Sequence, residues 1–448
     1  ISKTLVRFAL PIFFGSLFQQ LYNVVDSLVV GRYLGKEALA AVTSTGSLIY
    51  LAIGFLSGIF IGAGVIIARY VGARDYENMS IAIHTTIAFA LLAGIFVTIL
   101  MTLGTPTFLR WVGTPDDVFD LATIYLRTYF ASGLFIVLYN ACAEIFRATG
   151  DSKRPLFYLI ISSIINVVLD IFFIAVLKMG VMGAALATVI AQVVSAMLAF
   201  IELIRTTSMH RIIISKIKLN IEMLQRLLNM GIPTGVQNSV IGFANVIVQS
   251  NINAFGSVAM AANGTYSKLE GFAFLPIMSF SMALTTFIGQ NMGAKEYDRV
   301  KKATRFGVIS GMILAEIIGV ILFIFGPELI QIFTSDPEVI HLGDVKSKIT
   351  SLFFFFLALS HLLSGVLRGL GKTKVPMMVM LICWCLIRIT YVTLATHFFP
   401  DIRVVFWAYP FTWFISSVAF IYYYKTHSDI ESYDINEVYR IFSRRNSQ

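Results

Sequence analysis

Twelve apolar stretches, separated by charged or Gly/Pro-rich breaks, divide this sequence. Their approximate limits are 8–31, 42–68, 83–104, 119–142, 155–177, 181–204, 228–251, 257–289, 304–325, 347–367, 375–398 and 403–424. A helix needs roughly 20 predominantly apolar residues to cross a bilayer, and every stretch meets that length. Runs such as Ile87-Ala88-Phe89-Ala90-Leu91-Leu92-Ala93 do not alternate apolar with polar residues, which excludes a membrane β-barrel. Helices are the remaining structure that satisfies its own backbone in lipid. Composition agrees. Hydrophobic residues make up 57% of the chain and charged ones 13%, against about 25% charged in soluble domains. A soluble globular fold would lack a polar coat. The stretches 42–68 and 257–289 exceed one bilayer thickness and are expected to tilt, bend or protrude.

The formal charge of +9 fits basic cytoplasmic loops better than a nucleic-acid surface. With a cytoplasmic N-terminus, 24 of the 34 Lys and Arg residues fall on the cytoplasmic side, 7 on the opposite side, and Arg127, Lys268 and Arg388 inside spans. Lys346 and Lys348 count among the 7. This imbalance predicts a multi-pass protein of the plasma (inner) membrane with both termini cytoplasmic. The first apolar run, Phe8 to Val30, is longer than a signal-peptide core and shows no clear cleavage site. Cys142, Cys383 and Cys385 have no partner at zinc-ligand spacing and read as small packing residues.

The chain repeats itself. Gly72-Ala73-Arg74-Asp75-Tyr76-Glu77 returns as Gly293-Ala294-Lys295-Glu296-Tyr297-Asp298, 221 residues later. Arg147-Ala148-Thr149-Gly150-Asp151-Ser152-Lys153-Arg154-Pro155 returns at the same offset as Arg368-Gly369-Leu370-Gly371-Lys372-Thr373-Lys374-Val375-Pro376. Ala38-Leu39-Ala40-Ala41 matches Ala259-Met260-Ala261-Ala262, and Leu10-Pro11 matches Ile232-Pro233 one residue further on. Six spans per repeat is even, so both halves enter the membrane from the same side. The expected fold is all-α and integral to the membrane: twelve transmembrane helices in two pseudo-symmetric six-helix bundles, a parallel repeat. Its parts are an N-lobe over 1–204, a cytoplasmic linker over 205–226, a C-lobe over 227–425 and a cytoplasmic tail over 426–448. Two similar halves around a central cavity suit alternating access.

Pro11 followed fifteen residues later by Asp26, the two Gly-Ala-(Arg/Lys)-(Asp/Glu)-Tyr-(Glu/Asp) loops and the paired Arg-x-x-Gly-x-x-Lys-x-Pro loops resemble the multidrug and toxic compound extrusion (MATE) family. The resemblance covers nearly the whole chain. It implies two six-helix lobes and secondary antiport: export of organic, amphipathic and cationic compounds in exchange for H⁺ or Na⁺. A monomer working in a lipid bilayer is expected, with no nucleic acid and no cofactor beyond the coupling ion.

Ionisable groups deep in a bilayer are costly, so each calls for a reason. In the first half the acids are Asp26 in the first span and Asp170 in the fifth. Asn166 and Asp170 are four residues apart and share a helix face. Thr188 in the sixth span and Tyr125 in the fourth add neutral polar groups. Pro11 removes a backbone hydrogen bond from the first span and makes it a candidate hinge. Two carboxylates sharing a dry pocket repel, so one could hold a proton near neutral pH. Alternatively, the oxygens of Asp26, Asn166, Asp170 and Thr188 would suit Na⁺, since hard cations choose oxygen ligands. The plainer alternative is that each polar group satisfies a neighbour within the bundle. The resemblance implies the functional reading, because matching positions in archaeal and bacterial members form a cation site in the N-lobe.

The repeat is an internal control. Adding 221 to Asn166, Asp170 and Thr188 leads to Ile387, Tyr391 and Tyr409, and Asp26 falls near Ile247 or Val248. The second half therefore lacks this site. It also lacks the acids that NorM-type members carry in their seventh and tenth spans, where Gly242, Leu357, Ser360 and His361 stand. It does carry Lys268 and Glu270 in the eighth span and Arg388 in the eleventh. The expectation is a buried Glu270–Arg388 ion pair joining two helices; the alternative is a substrate site in which Glu270 meets cations. Met260, Phe280 and Met282 are candidates to line a cavity. No His-Glu-x-x-His, no Gly-x-Ser-x-Gly and no Gly-x-x-x-x-Gly-Lys-Ser/Thr occurs, so neither an enzyme nor an ATP-driven pump is expected. A lipid-linked saccharide flippase of the same superfamily is the second transporter reading. It would want a basic cavity, and only Arg127, Lys268 and Arg388 lie within the predicted spans.

Overall fold

The computed structural model describes residues 1–427, apart from the side chains of Lys36, Thr43 and Ser44. The tail expected over 426–448 lies, beyond His427, outside the described residues. The helices in chain order are α1 (Ser2–Leu34), α2 (Lys36–Ala73), α3 (Tyr76–Trp111), α4 (Asp116–Phe130), α5 (Gly133–Ala148), α6 (Lys153–Ile171), α7 (Val181–Arg205), α8 (Ile221–Asn253), α9 (Ser257–Gly293), α10 (Tyr297–Gln331), α11 (Pro337–Thr350), α12 (Phe354–Gly369), α13 (Lys374–Met380), α14 (Arg388–Phe398) and α15 (Ile402–Thr426). Grouped as spans they number twelve. Ten helical segments are long and apolar enough to cross a membrane by themselves, and α4 with α5, bent by 51°, makes an eleventh. The twelfth is α8, whose Gln237, Asn238, Asn245 and Gln249 lower its hydropathy.

Breaks within spans carry their own caps, as the unpaired N–H groups of a new helix start require. Where α5 begins, Leu134 N–H donates to Thr98 Oγ1 of α3 at 2.8 Å. Where α12 begins, Phe355 N–H donates to Glu316 Oε2 of α10 at 3.1 Å. At the start of α11, Asp336 Oδ1 accepts from Glu338 N–H at 2.9 Å, with Pro337 at the first helical position, where its missing N–H costs nothing. The repeat is visible in the backbone. Arg74 and Lys295, 221 residues apart, both take the left-handed conformation after α2 and α9, with φ of 56° and 59°.

Two compact units emerge. Among the described residues, one comprises Val6–Val246; the other comprises Ile1–Leu5 and residues 247–427. The division falls inside α8, about twenty residues beyond the boundary expected at 227. In the first unit the core runs along α2, α3, α4 and α5, with Phe60, Ile67, Ile87, Leu126, Phe130 and Phe146 buried. The linker belongs to this core. Ile212 is buried in it, and Ile213 N–H donates to His84 Nε2 of α3 at 3.0 Å. Since α8 starts at Ile221, the predicted linker loses its last six residues to a helix. In the second unit α12 packs against α9, α10 and α15.

Within the first unit α2 and α8 meet backbone to backbone. A Cβ added to Gly58 would lie 2.5 Å from Gly235 Cα, and one on Gly62 would lie 2.4 Å from Gly231 Cα. Each helix presents Gly-x-x-x-Gly to the other, the pattern by which helices in lipid approach most closely. Asn238 Nδ2 adds a hydrogen bond to Gly54 O at 3.2 Å.

Candidate functional site

Five elements of the first unit converge on one buried polar cluster. Asp26 comes from α1, Tyr125 from α4, Asn166 and Asp170 from α6 and Thr188 from α7, and all five are buried. With its amide oriented to satisfy both ends, Asn166 Nδ2 donates to Asp170 Oδ2 at 3.0 Å, and its Oδ1 accepts from Thr188 Oγ1 and N at 3.2 Å. The Asp26 and Asp170 carboxyl groups are in hydrogen-bond contact with each other. Each keeps one buried oxygen, Oδ1, with no hydrogen-bond partner. No salt bridge reaches either acid among the described residues.

Two tyrosines join that the sequence reading passed over. Tyr22 feels the charge of both acids, as does Tyr125, and Tyr129 stacks on Tyr125 at 6.2 Å between ring centroids. Helical spacing could have found both. Tyr22 precedes Asp26 by four residues and Tyr129 follows Tyr125 by four, which places each pair on one face. Immediately after α6, residues Phe172–Val176 form a π-helical turn, a widening often found at functional positions. Pro11 lies inside α1, which stays helical from Ser2 to Leu34.

A family model described as MatE matches this chain twice, over residues 11–172 and 233–394. The chain belongs to the MatE family. Both matches have the same length, so the model recovers the internal repeat as well as the family. Among curated relatives, the probable multidrug resistance protein YoeA of Bacillus subtilis (strain 168) is 26% identical over 431 residues, covering 94% of this chain and 93% of that one. YpnP of the same organism, also named a probable multidrug resistance protein, is 28% identical over 435 residues, covering 94% and 95%. A MOP superfamily transporter from Pyrococcus furiosus shares the fold, with a TM-score of 0.90, 23% identity and 96% of each chain covered. The twelve-helix architecture is thus that of MATE transporters.

The second half of this MatE chain corrects one expectation. Glu270 does not pair with Arg388. Its ion-pair partner is Lys346, with Nζ 3.9 Å from Oε2. The sequence reading places Lys346 in an outer loop because its tenth span starts at 347; α11 begins at Pro337 and buries Lys346. Both basic groups are 1% exposed. Lys346 Nζ donates to Asn263 Oδ1 at 2.7 Å and lies 4.9 Å and 5.0 Å from the ring centroids of Tyr266 and Tyr409. Arg388 donates from Nε and Nη2 to Thr412 Oγ1 at 3.0 and 2.7 Å and lies over Trp384 and Tyr409 at 4.9 and 4.8 Å. Lys268 stands apart, exposed and over the Phe333 ring at 5.7 Å. Met260 is half exposed, while Phe280 and Met282 are partly buried.

Proposed function

We propose that this MATE transporter is a secondary antiporter that exports amphipathic organic compounds in exchange for a cation taken up at Asp26 and Asp170. The contact between the two carboxyl groups carries this reading. A hydrogen bond between them needs a proton on one. Losing that proton leaves two like charges in a dry pocket, which is unfavourable. The two protonation states therefore favour different arrangements of α1 against α6, and a coupled transporter requires such a difference. The backbone bond missing at Pro11 gives α1 a place to bend in response. Na⁺ is the other coupling ion compatible with the set, held by the two unpartnered oxygens with the Asn166 and Thr188 oxygens. The relatives named for multidrug resistance support organic compounds as cargo. The alternative in which Glu270 meets a cationic cargo loses support, because that carboxylate pairs with Lys346. The flippase reading gains from Lys346, which adds a buried cation to those counted from sequence.

The deciding measurement is uptake of ethidium into membrane vesicles under pH and Na⁺ gradients imposed separately. Accumulation should follow the pH gradient; accumulation under Na⁺ alone would reassign the ion. No gradient-dependent movement of any amphiphile would end the antiport reading.

Orientation has its own test. The 24-to-7 imbalance of basic residues survives the inward move of Lys346, and puts the α2–α3 and α9–α10 loops in the cytoplasm. With the native cysteines replaced, cysteines at the exposed positions Ala73 and Ala294 should react with membrane-impermeant maleimide only after cells are opened. Labelling of either in intact cells would reverse the topology.

A further inference from the structure

The buried cations of the second unit occupy the position that the acid site holds in the first. We infer that Lys346 and Arg388 form an anion-binding site, so that the exported amphiphile carries an anionic group. This rests on the export reading above and names its substrate class. The repeat makes the correspondence concrete. An offset of 221 takes Tyr125 to Lys346, Thr188 to Tyr409 and Asn166 to Ile387, next to Arg388. Both sites adjoin a π-helical turn: Phe172–Val176 begins two residues after Asp170, and Leu381–Ile387 ends immediately before Arg388. The same place in the repeat therefore holds two acids and no base in one half, and two bases with a single acid in the other.

Charge within the second cluster is left unbalanced. Two buried cations face one carboxylate; among the described residues Glu270 makes its direct ion pair with Lys346 and acts on Arg388 only at longer range. The side-chain hydrogen bonds of Arg388, from Nε and Nη2, both go to one hydroxyl, that of Thr412. Uncompensated charge in a membrane-embedded lobe is unfavourable. A guanidinium fork matches a carboxylate or phosphate in two hydrogen bonds, and here it is spent on a neutral hydroxyl. The surroundings hold both cations in place. Gln249 Oε1 accepts from Asn263 Nδ2 at 2.6 Å, which turns the Asn263 oxygen toward Lys346. The faces of Tyr266, Tyr409 and Trp384 attract the cations without neutralising them. A purely structural cluster would be expected to close with a carboxylate on Arg388, and none pairs with it among the described residues.

Two dyes sharing a fluorophore test this: dansylglycine, a carboxylate, and dansylcadaverine, an amine. Binding to the purified full-length protein in dodecyl maltoside is read by energy transfer from tryptophan, Trp384 being in contact with Arg388. Dansylglycine should bind the wild type more tightly. Lys346→Met and Arg388→Met should each weaken it by about tenfold or more, as loss of one buried charged partner does, with dansylcadaverine unchanged. Arg388→Lys should retain part of the affinity, and Glu270→Gln should raise it, since one competing carboxylate is gone. Displacement by added phosphatidylglycerol supports the site with a lipid headgroup as its anion; no displacement supports it with a soluble amphiphile. If a methionine variant is not monodisperse, the wild-type dye preference and Glu270→Gln decide. Equal affinity for the two dyes, or dansylglycine binding indifferent to Glu270→Gln and to every monodisperse variant, overturns the proposal. Gradient-driven export of dansylcadaverine without dansylglycine binding would remove this inference and keep antiport; dansylglycine binding without any gradient-driven transport would do the reverse.

Discussion

Asp26→Asn and Asp170→Asn should each reduce gradient-driven export to the level of vesicles lacking the protein, while expression stays near wild type. Asparagine keeps the volume of aspartate and can still hydrogen-bond, so the packing among α1, α4, α6 and α7 is preserved. It cannot gain or lose a proton in the working range, so the arrangement of the pair no longer depends on the gradient. A ligand or proton shifts a conformational equilibrium only by its difference in affinity for the two states, and the amide removes the part of that difference that comes from two carboxylates sharing one proton. Removing one carboxylate also relieves like-charge repulsion, so the folded protein should not be lost. Dye binding in detergent should persist, because coupling and binding are carried by different groups. Export is measured as movement, under an imposed pH gradient, of whichever fluorescent amphiphile the wild type transports, cationic ethidium or anionic dansylglycine, with protein quantified in the same membranes. Wild-type export in both variants would leave the acid pair as a packing feature.

The second large effect is steric. Gly62→Leu should sharply lower the yield and the unfolding midpoint of the purified protein, and Gly235→Leu should behave alike. A Cβ at Gly62 would stand 2.4 Å from Gly231 Cα, and one at Gly235 would stand 2.6 Å from Phe55 O. Carbon atoms in contact prefer about 3.5–4.0 Å, so α2 and α8 would have to part by an ångström or more along the shared face. Overpacking a tight site ordinarily costs about 1–3 kcal/mol, and here backbone, which cannot rotate aside, forms the obstacle. Gly46→Leu on the same helix is the control, since nothing lies within 4 Å of its added Cβ. Equal midpoints for Gly62→Leu and Gly46→Leu would show that the crossing does not hold the unit together.

Span number and fold class were legible because lipid imposes a simple rule on apolar length, and the repeat was legible because it recurs at one offset. The acid cluster could be read from chemistry: carboxylates in an apolar context are rare enough to stand out one at a time. Its tyrosines were harder, since aromatic residues are common in spans and only their four-residue spacing from known members marks them. Lys346 was misplaced for a related reason. A lysine near the end of an apolar run looks like a loop residue, and hydropathy does not reveal that α11 starts ten residues earlier and turns that lysine inward. Pairing across helices was the least accessible, because Glu270 had two basic candidates and only packing chooses between them.

The division inside α8 gives this protein an unusual joint. The chain crosses between its two compact units within continuous helices, at Leu5–Val6 in α1 and Val246–Ile247 in α8, whereas the loop that connects the repeats lies wholly on one side and is fastened there through Ile212 and His84. A loop hinge transmits no direction and resists little. Helical rods act instead as leaf springs: they flex about preferred axes, store elastic strain and return it. Severing the loop between α7 and α8 should therefore leave both helices whole, with the cut end still fastened to the first unit through Ile212 and His84.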